Sequence, residues 1–220
     1  IRKWLLERDV VDAIVALPTD MFYNTGIATY IWIVDNNKPE VRRGKVQLID
    51  GTEFYEKMRK KLGDKGRELT EDNRATIVKL YADYVETEHC KIVPSDEFAY
   101  WSITVERPQR DENGEVITNT RGKVQPDTNL RDTERVPFTY NGNTKGDAGR
   151  DETIQAYFEA EVKPYVPDAW VDEKKTKIGY EIPFTRYFYR YQPPRPLKEI
   201  DKELHEVTRE ILELLEEVSK

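Results

Sequence analysis

The chain of 220 residues has one cysteine, two histidines and no long apolar segment. A lone Cys90 excludes an internal disulfide framework and a cysteine-only metal cage, and its neighbour His89 adds only weak support for zinc. With His89 and His205 as the only histidines, no credible Ser-His-Asp set is present, so hydrolysis is disfavoured. So little cysteine is typical of a reducing cytoplasm, which predicts a cytoplasmic protein. Because no apolar run approaches the roughly 18 residues of a membrane span, no membrane partner is expected.

The chain also lacks an excess of positive charge. The formal net charge is −7, while charged residues make up 35% of the chain and hydrophobic residues 38%. A chain of this balance is not a general nucleic-acid binder, so any basic site must be local. The low hydrophobic content predicts much exposed surface, or apolar faces that meet partners.

The first 50 residues predict one edge of a sheet. Residues 1–8 are typical of the end of an amphipathic helix, and 13–17, 27–34 and 46–50 of strands, the first of them buried on both faces. A helix, a strand and an antiparallel-looking pair are expected at the closing edge of an α/β sheet. We therefore expect the beginning of this sheet upstream of Ile1.

Between the first two strands lies a polar loop with two adjacent aromatics, Phe22 and Tyr23. A ring offered outward from a strand end can hold a flat ligand, although core packing explains the pair without any ligand. Asn24 and Thr25 are expected to shape the loop, and Gly26 to supply backbone freedom.

Residues 53–62 carry Phe54, Met58 and Leu62 at helical spacing, which predicts a short helix, and a basic run extends from Lys57 to Arg67. Two interpretations of this run stay open: a DNA-phosphate contact, or a solvated helix face, which is favoured. Its candidate phosphate-binding residues are Lys57, Arg59, Lys60 and Lys61.

Downstream, the pattern predicts a helix over 71–88, a strand over 98–105, polar hairpin and loop sequence over 106–150 and a helix over 151–163. An aromatic cluster over 180–191 is typical either of a stacking and phosphate-binding surface or of core and subunit packing. No cluster of metal-ligating residues is predicted in the chain.

The C-terminal segment carries apolar residues at alternating spacings of three and four, over about three heptads. This stripe either packs on its own domain or binds a partner helix, and the sequence leaves both open. Its members are Leu197, Ile200, Leu204, Val207, Ile211, Leu214 and Val218.

Taken together, several stretches resemble the modification (M) subunit of type I restriction-modification enzymes, a DNA adenine-N6 methyltransferase. Their order and number make the resemblance specific, and they run over nearly the whole chain. The stretches are 16–18, 22–27, 44–50, 57–63, 130–134, 157–158, 161–162, 167–170 and 175–184.

The resemblance implies an α/β fold: the closing strands of a Rossmann-like methyltransferase sheet, then a mainly helical C-terminal extension that ends in the heptad-patterned helix. It implies three parts: 1–67 as the end of the catalytic domain, 68–196 as a mixed α/β and loop extension, and 197–220 as an assembly helix.

By the same resemblance, the intact parent uses S-adenosylmethionine to methylate adenine in DNA, together with specificity (S) and restriction (R) subunits. The Gly-rich cofactor loop of this family does not occur in these 220 residues, and neither does its Asn-Pro-Pro-aromatic motif. The Pro-Pro pair Pro193-Pro194 does not replace this motif, because it follows Gln192 and precedes a charged helix. The chain is therefore expected to bind no cofactor and to be inactive alone. What it retains is the aromatic that stacks on the flipped adenine, which matches Phe22 best, with Tyr23 as the alternative. A non-catalytic module that binds the specificity subunit through the C-terminal helix is the rival hypothesis.

Overall fold

A run of seven buried residues, strand β1 (Val11–Leu17), lies inside the first sheet of the computed structural model. The structure describes residues 1–191 and 193–218, with all their side chains except those of residues 213 and 216–218. It divides into two compact units, Ile1–Phe188 and Tyr189–Lys220.

The first unit is mixed α/β. Its other elements are, in chain order, α1 (Arg2–Glu7), β2 (Thr29–Val34), β3 (Lys45–Asp50), β4 (Glu56–Leu62), β5 (Lys65–Glu68), α2 (Glu71–Asp83), β6 (Cys90–Pro94), β7 (Ala99–Glu106), β8 (Asp132–Pro137), α3 (Arg150–Tyr157), β9 (Trp170–Val171), β10 (Lys177–Tyr180) and α4 (Phe184–Phe188). The second unit contains α5 (Leu197–Val218).

The first sheet has the strand order β2-β1-β3-β6, with β1 parallel to β3 and antiparallel to β2. One face of this sheet packs against α2 through Ile77, Leu80 and Tyr81. The other face packs against Leu6 of α1 and against Phe98 and Phe184. Burial on both faces explains why β1 is apolar at every position except Asp12 rather than alternating.

At the edge of this sheet, β2 is exposed although it is apolar. Tyr30, Ile31 and Trp32 retain 44%, 48% and 38% of their accessible surface, and Val34 retains 55%. Within the described residues β2 pairs only with β1. An apolar strand with an open edge is a template for pairing with a further strand.

The second sheet has the order β10-β7-β8, with β9 also paired to β7. Its core is built on Trp101, which is fully buried, stacks on Phe138 with ring centroids 4.0 Å apart and donates its indole N–H to Asp147. Ile154 and Phe158 pack on this core from α3 and the π-helical turn Phe158–Val162 that continues it. After residue 68 the strands β6 to β10 thus lie among the helices, because alternating buried residues such as those of β7 form strands.

The structure corrects two of the predicted helices. The helix over 53–62 is wrong: this segment enters the antiparallel hairpin β4–β5, whose turn is made possible by Gly63 at φ +63°. The helix over 71–88 ends at Asp83, because Tyr84 adopts the left-handed conformation at φ 50°. Its start is set by a capping box between Thr70 and Asn73.

No helix among the described residues is long and apolar enough to cross a membrane. Over the same residues, no group of three or more His, Cys, Asp and Glu side chains is arranged to hold a metal ion.

A buried carboxylate ties the second sheet to its loops. Glu106 is 2% exposed and accepts hydrogen bonds from Arg131 Nε at 2.9 Å and Lys175 Nζ at 2.7 Å. Burial is the largest single influence and would raise the pKa of Glu106, but the hydrogen bonds and charges of the two cations together outweigh it and lower this pKa from its ordinary value of 4.5.

This depressed pKa predicts a pH dependence of folding. A carboxyl group whose pKa is lower in the folded state than in the unfolded state stabilises the fold at pH values above its unfolded pKa. This contribution to stability is lost as the pH falls through the pKa of the folded state. We expect the melting temperature to fall below pH 4.5, and in Arg131→Met the fall should begin at higher pH, because burial is then less opposed. Thermal unfolding from pH 7 to pH 3 measures this, with the exposed Arg121→Met as control. An identical pH profile in both variants would contradict the role of Arg131.

Candidate functional site

The loop that follows β1 presents two aromatic rings to solvent. Phe22 is 47% exposed and Tyr23 58% exposed, so neither ring is part of a core. Phe22 pairs with Thr25 in an isolated antiparallel bridge, which makes the tip of the loop a tight turn. The rings stand at the carboxyl end of β1, beside the carboxyl end of its parallel neighbour β3. In open α/β sheets, ligands bind at this end of parallel strands.

Asp20 gives the loop its shape. Its φ of 58° is uncommon for a residue other than glycine, although Asp tolerates this conformation better than most. A Cβ atom at Gly26 would lie 2.8 Å from Oδ1 of Asp20. Gly26 is not among the glycines with positive φ, so its value here is the space it leaves for Asp20 and not the backbone freedom that was expected.

Next to this loop lies the hairpin β4–β5, which carries the predicted phosphate-binding residues. Lys57, Arg59, Lys60 and Lys61 are all exposed on β4. On β5, the ammonium of Lys65 lies 5.6 Å from the centre of the Tyr23 ring. A chain with net charge −7 thus carries a local group of exposed cations on its hairpin, one of which, Lys65, lies near the ring of Tyr23.

Sequence reasoning missed the contact between hairpin and loop, because it treated the basic run as a helix. The backbone N–H groups of Asp64, Gly66 and Arg67 donate to carbonyl oxygens of the loop at 2.9, 3.0 and 3.2 Å. The signal that could have found the hairpin is the pair Gly63-Asp64, a turn dipeptide between two strand-length segments.

Arg42, another basic residue of the first 70, is used inside the fold. Its guanidinium bonds Asp12 at 3.0 Å, Gln47 at 3.1 Å and the carbonyl of Tyr81 at 2.7 Å. The hydrogen bond to Asp12, then burial, raise the pKa of the Tyr81 hydroxyl. This cluster fastens α2 to the first sheet, so Arg42 is not available to a ligand.

The predicted heptad stripe lies on α5, and its described members are exposed. Leu197, Leu204 and Leu214 are 77%, 59% and 62% exposed, and Ile200, Val207 and Ile211 range from 36% to 52%. Val218 ends the helix, but its side chain lies outside the described residues. In the second unit this stripe therefore has no apolar cover among the described residues.

Comparison with known proteins gives the family. Residues 1–120 match the family described as N-6 DNA Methylase. Since this match covers more than half of the 220 residues, the chain belongs to the N-6 DNA methylase family.

Relatives of known name that the chain resembles include methylase subunits of type I restriction enzymes. Over 100 residues the chain is 35% identical to the type I restriction enzyme MjaVIII methylase subunit of Methanocaldococcus jannaschii, which covers 44% of this chain and 17% of that protein. Over 54 residues it is 41% identical to the type I restriction enzyme HindI methylase subunit of Haemophilus influenzae, which covers 24% of this chain and 12% of that protein. The chain thus spans less than a fifth of these relatives.

Among solved structures, the chain is similar to a type I restriction-modification system methyltransferase subunit from Streptococcus thermophilus. The TM-score is 0.39 at 24% identity, over 44% of this chain and 19% of that one.

Proposed function

We propose that this chain is part of the modification subunit of a type I restriction-modification enzyme, which transfers a methyl group from S-adenosylmethionine to N6 of adenine in DNA. The observation that carries the proposal is the pair of exposed rings, Phe22 and Tyr23, at the carboxyl end of a buried parallel strand. Membership of the N-6 DNA methylase family supports the target adenine as the flat ligand of these rings in this proposal.

The rings have a defined task in this reaction. An enzyme that acts on a base inside a duplex must extrude it, and the base then loses its stacking neighbours. An aromatic side chain returns part of this energy, about 1–3 kcal/mol per base. Phe22 is the first candidate for this ring, Tyr23 the second, and Asn24, Thr25 and Gly26 shape the loop around them.

The open edge of the first sheet supports the view that this chain completes a larger domain. β2 carries apolar side chains on both faces and leaves one edge unpaired within the described residues. Such a strand is suited to the interior of a sheet, and a further strand of the parent enzyme would cover it. In this proposal, the first sheet is the closing part of a Rossmann-like methyltransferase sheet.

The residues of this chain do not fit a binding site for S-adenosylmethionine. The Gly-rich loop that would cradle S-adenosylmethionine and the Asn-Pro-Pro-aromatic motif that would hold the adenine amino group do not occur in the 220 residues. We therefore assign the site of the methyl donor to the rest of the parent enzyme. The 220-residue chain alone is expected to be inactive.

This assignment predicts that the 220-residue chain does not bind S-adenosylmethionine. Titration calorimetry should give no saturable heat, because the groups that would hold the cofactor are not in the sequence. S-Adenosylhomocysteine, which lacks the transferable methyl, is the matched ligand control and should also give none. Saturable binding of either ligand would contradict the division of the site.

The exposed cations of β4 are assigned to the DNA backbone. Lys57, Arg59, Lys60 and Lys61 lie on the hairpin that contacts the stacking loop, so a duplex held by them would run past the two rings. Such contacts are independent of sequence and weaken as salt rises.

The function itself is tested on the intact parent enzyme assembled with its specificity and restriction subunits. Incubation with labelled S-adenosylmethionine and duplex DNA should yield N6-methyladenine, identified by mass spectrometry of the digested nucleosides. Methyl transfer to cytosine, or none in the presence of the specificity subunit, would overturn the proposal.

A second function is favoured by α5: assembly without chemistry. The exposed stripe offers a partner helix a continuous apolar surface, and we assign this partner to the specificity subunit. Each of Leu204, Ile211 and Val218 is preceded by a glutamate, at 203, 210 and 217. If two copies of α5 paired, these glutamates of one helix would lie close to acidic residues of the other and repel them. A partner helix with basic residues beside its apolar stripe is therefore preferred over a second copy.

A further inference from the structure

We propose that the hairpin β4–β5 is the support that fixes the shape of the stacking loop, and that Arg67 is its positioning residue. Its consequence for base stacking depends on the proposed function, whereas the mechanical coupling of hairpin and loop does not.

The first observation is a set of backbone hydrogen bonds along one side of β5. Asp64 N–H donates to the carbonyl of Tyr23, and the N–H groups of Gly66 and Arg67 both donate to the carbonyl of Asp20. The turn of the hairpin and the start of β5 are therefore hydrogen-bonded to the backbone of the loop. Both ends of the segment that carries the rings are held by the same hairpin.

The second observation is a close approach that only glycine permits. A Cβ atom at Gly63 would lie 2.5 Å from the carbonyl oxygen of Tyr23, a backbone atom that cannot move aside alone. Gly63 also has a φ of +63°, which disfavours other residues. The turn of the hairpin is thus fitted against the backbone of the residue that carries one of the rings.

Arg67 adds the side-chain contacts. Its guanidinium donates to Thr19 Oγ1 at 2.9 Å, lies 3.9 Å from the carboxylate of Asp20 and stacks over the ring of Tyr55 at 4.2 Å. The planar guanidinium can make the Tyr55 stack and the two polar contacts at once, which an ammonium cannot do. Arg67 thus joins the hairpin to the residue before the loop's left-handed bend and to the bend itself.

The bend explains why a support is needed. Asp20 holds a φ of 58°, a sparsely populated conformation that costs Asp less than most residues but that the surroundings still have to stabilise. Here the surroundings are the two N–H donors of β5, the nearby Arg67 and the missing side chain of Gly26. A ring that must meet a flipped base within a fraction of an ångström requires this kind of rigid second layer.

The mechanical part is tested on the 220-residue chain by amide hydrogen exchange. Arg67→Met should accelerate exchange of the backbone N–H groups of residues 64, 66 and 67, which donate to the loop, by about tenfold, the effect of losing one charged hydrogen bond. Arg67→Lys keeps the charge and should resemble Arg67→Met, because the geometry is lost. Arg59→Met removes the same charge from an exposed position of β4 and should leave the exchange of these three N–H groups unchanged.

The consequence for stacking is tested in the intact enzyme. Since a misplacement of 1 Å can cost about 100-fold, and the backbone bonds remain, Arg67→Met is expected to lower kcat for methylation by about tenfold without changing the Kd for S-adenosylmethionine. Unchanged exchange of the N–H groups of residues 64, 66 and 67 in both Arg67 variants would overturn the support role, whatever the activity. Faster exchange with unchanged methylation would leave the support role standing and would overturn the stacking role of the loop.

Discussion

Phe22→Ala in the intact enzyme is expected to lower kcat/KM for methylation by about 5- to 150-fold, the loss of a stacking interaction of about 1–3 kcal/mol. The Kd for S-adenosylmethionine should not change, because the ring lies in a loop that contains no cofactor-binding motif. Steady-state methylation and cofactor titration measure the two effects separately. Because Phe22 is 47% exposed, its removal leaves no buried cavity, and the melting temperature should stay close to that of the wild type.

The controls for this prediction use the aromatic residues that the chain offers. Phe22→Tyr keeps a stacking face and should retain most activity, while Tyr165→Ala removes an 82% exposed ring outside the loop and should have no effect. Tyr23→Ala decides between the two candidate rings, since only the ring that stacks should produce the full loss. Equal losses in methylation and in cofactor binding would mean that the loop serves folding and not the base.

The sequence predicted the loop because its signal is local. A buried apolar run, a polar segment with Phe22 and Tyr23, and a second apolar run place the rings at a strand end without any knowledge of tertiary contacts. In the structure, β1 and β2 flank the loop as expected. The exposure of both rings needed the structure, because an aromatic pair at a strand end packs into a core equally well.

The hairpin was not predicted because its stabilising contacts are not local. Phe54, Met58 and Leu62 recur at a spacing of four, and Lys and Arg are good helix formers, so propensity and periodicity both favoured a helix. The structure instead satisfies the backbone of β5 through carbonyl oxygens of Asp20 and Tyr23, more than 40 positions earlier in the chain. Tertiary hydrogen bonds here override a weak local preference.

After residue 68, prediction from local sequence patterns again works for some strands and fails for others. The alternation of Ala99, Trp101, Ile103 and Val105 was enough to predict β7, since every second residue is buried. The short strands β9 and β10 span two and four residues and exist only as partners of β7. Segments this short carry no periodicity of their own, so their strand character depends on the neighbour they pair with.

Deletion of residues 197–220 is expected to abolish complex formation with the specificity subunit, the largest effect that we predict on assembly. The described stripe on α5 offers six exposed apolar side chains, Leu197, Ile200, Leu204, Val207, Ile211 and Leu214. Burial of such a side chain contributes about 1.5–3 kcal/mol, and the sum exceeds the roughly 8 kcal/mol of a micromolar complex, although ordering costs reduce it. Co-elution of the two subunits by size exclusion measures the loss.

Point variants separate the stripe from the rest of the helix. Leu204→Glu and Ile211→Glu should each weaken the complex by placing a charge at the centre of the apolar stripe, whereas His205→Glu adds the same charge beside it and should be tolerated. Far-ultraviolet circular dichroism of each variant checks that helicity is retained. A complex that survives the deletion would place the stripe within the packing of the parent enzyme itself, because an apolar face of this length is stable in water only when something covers it.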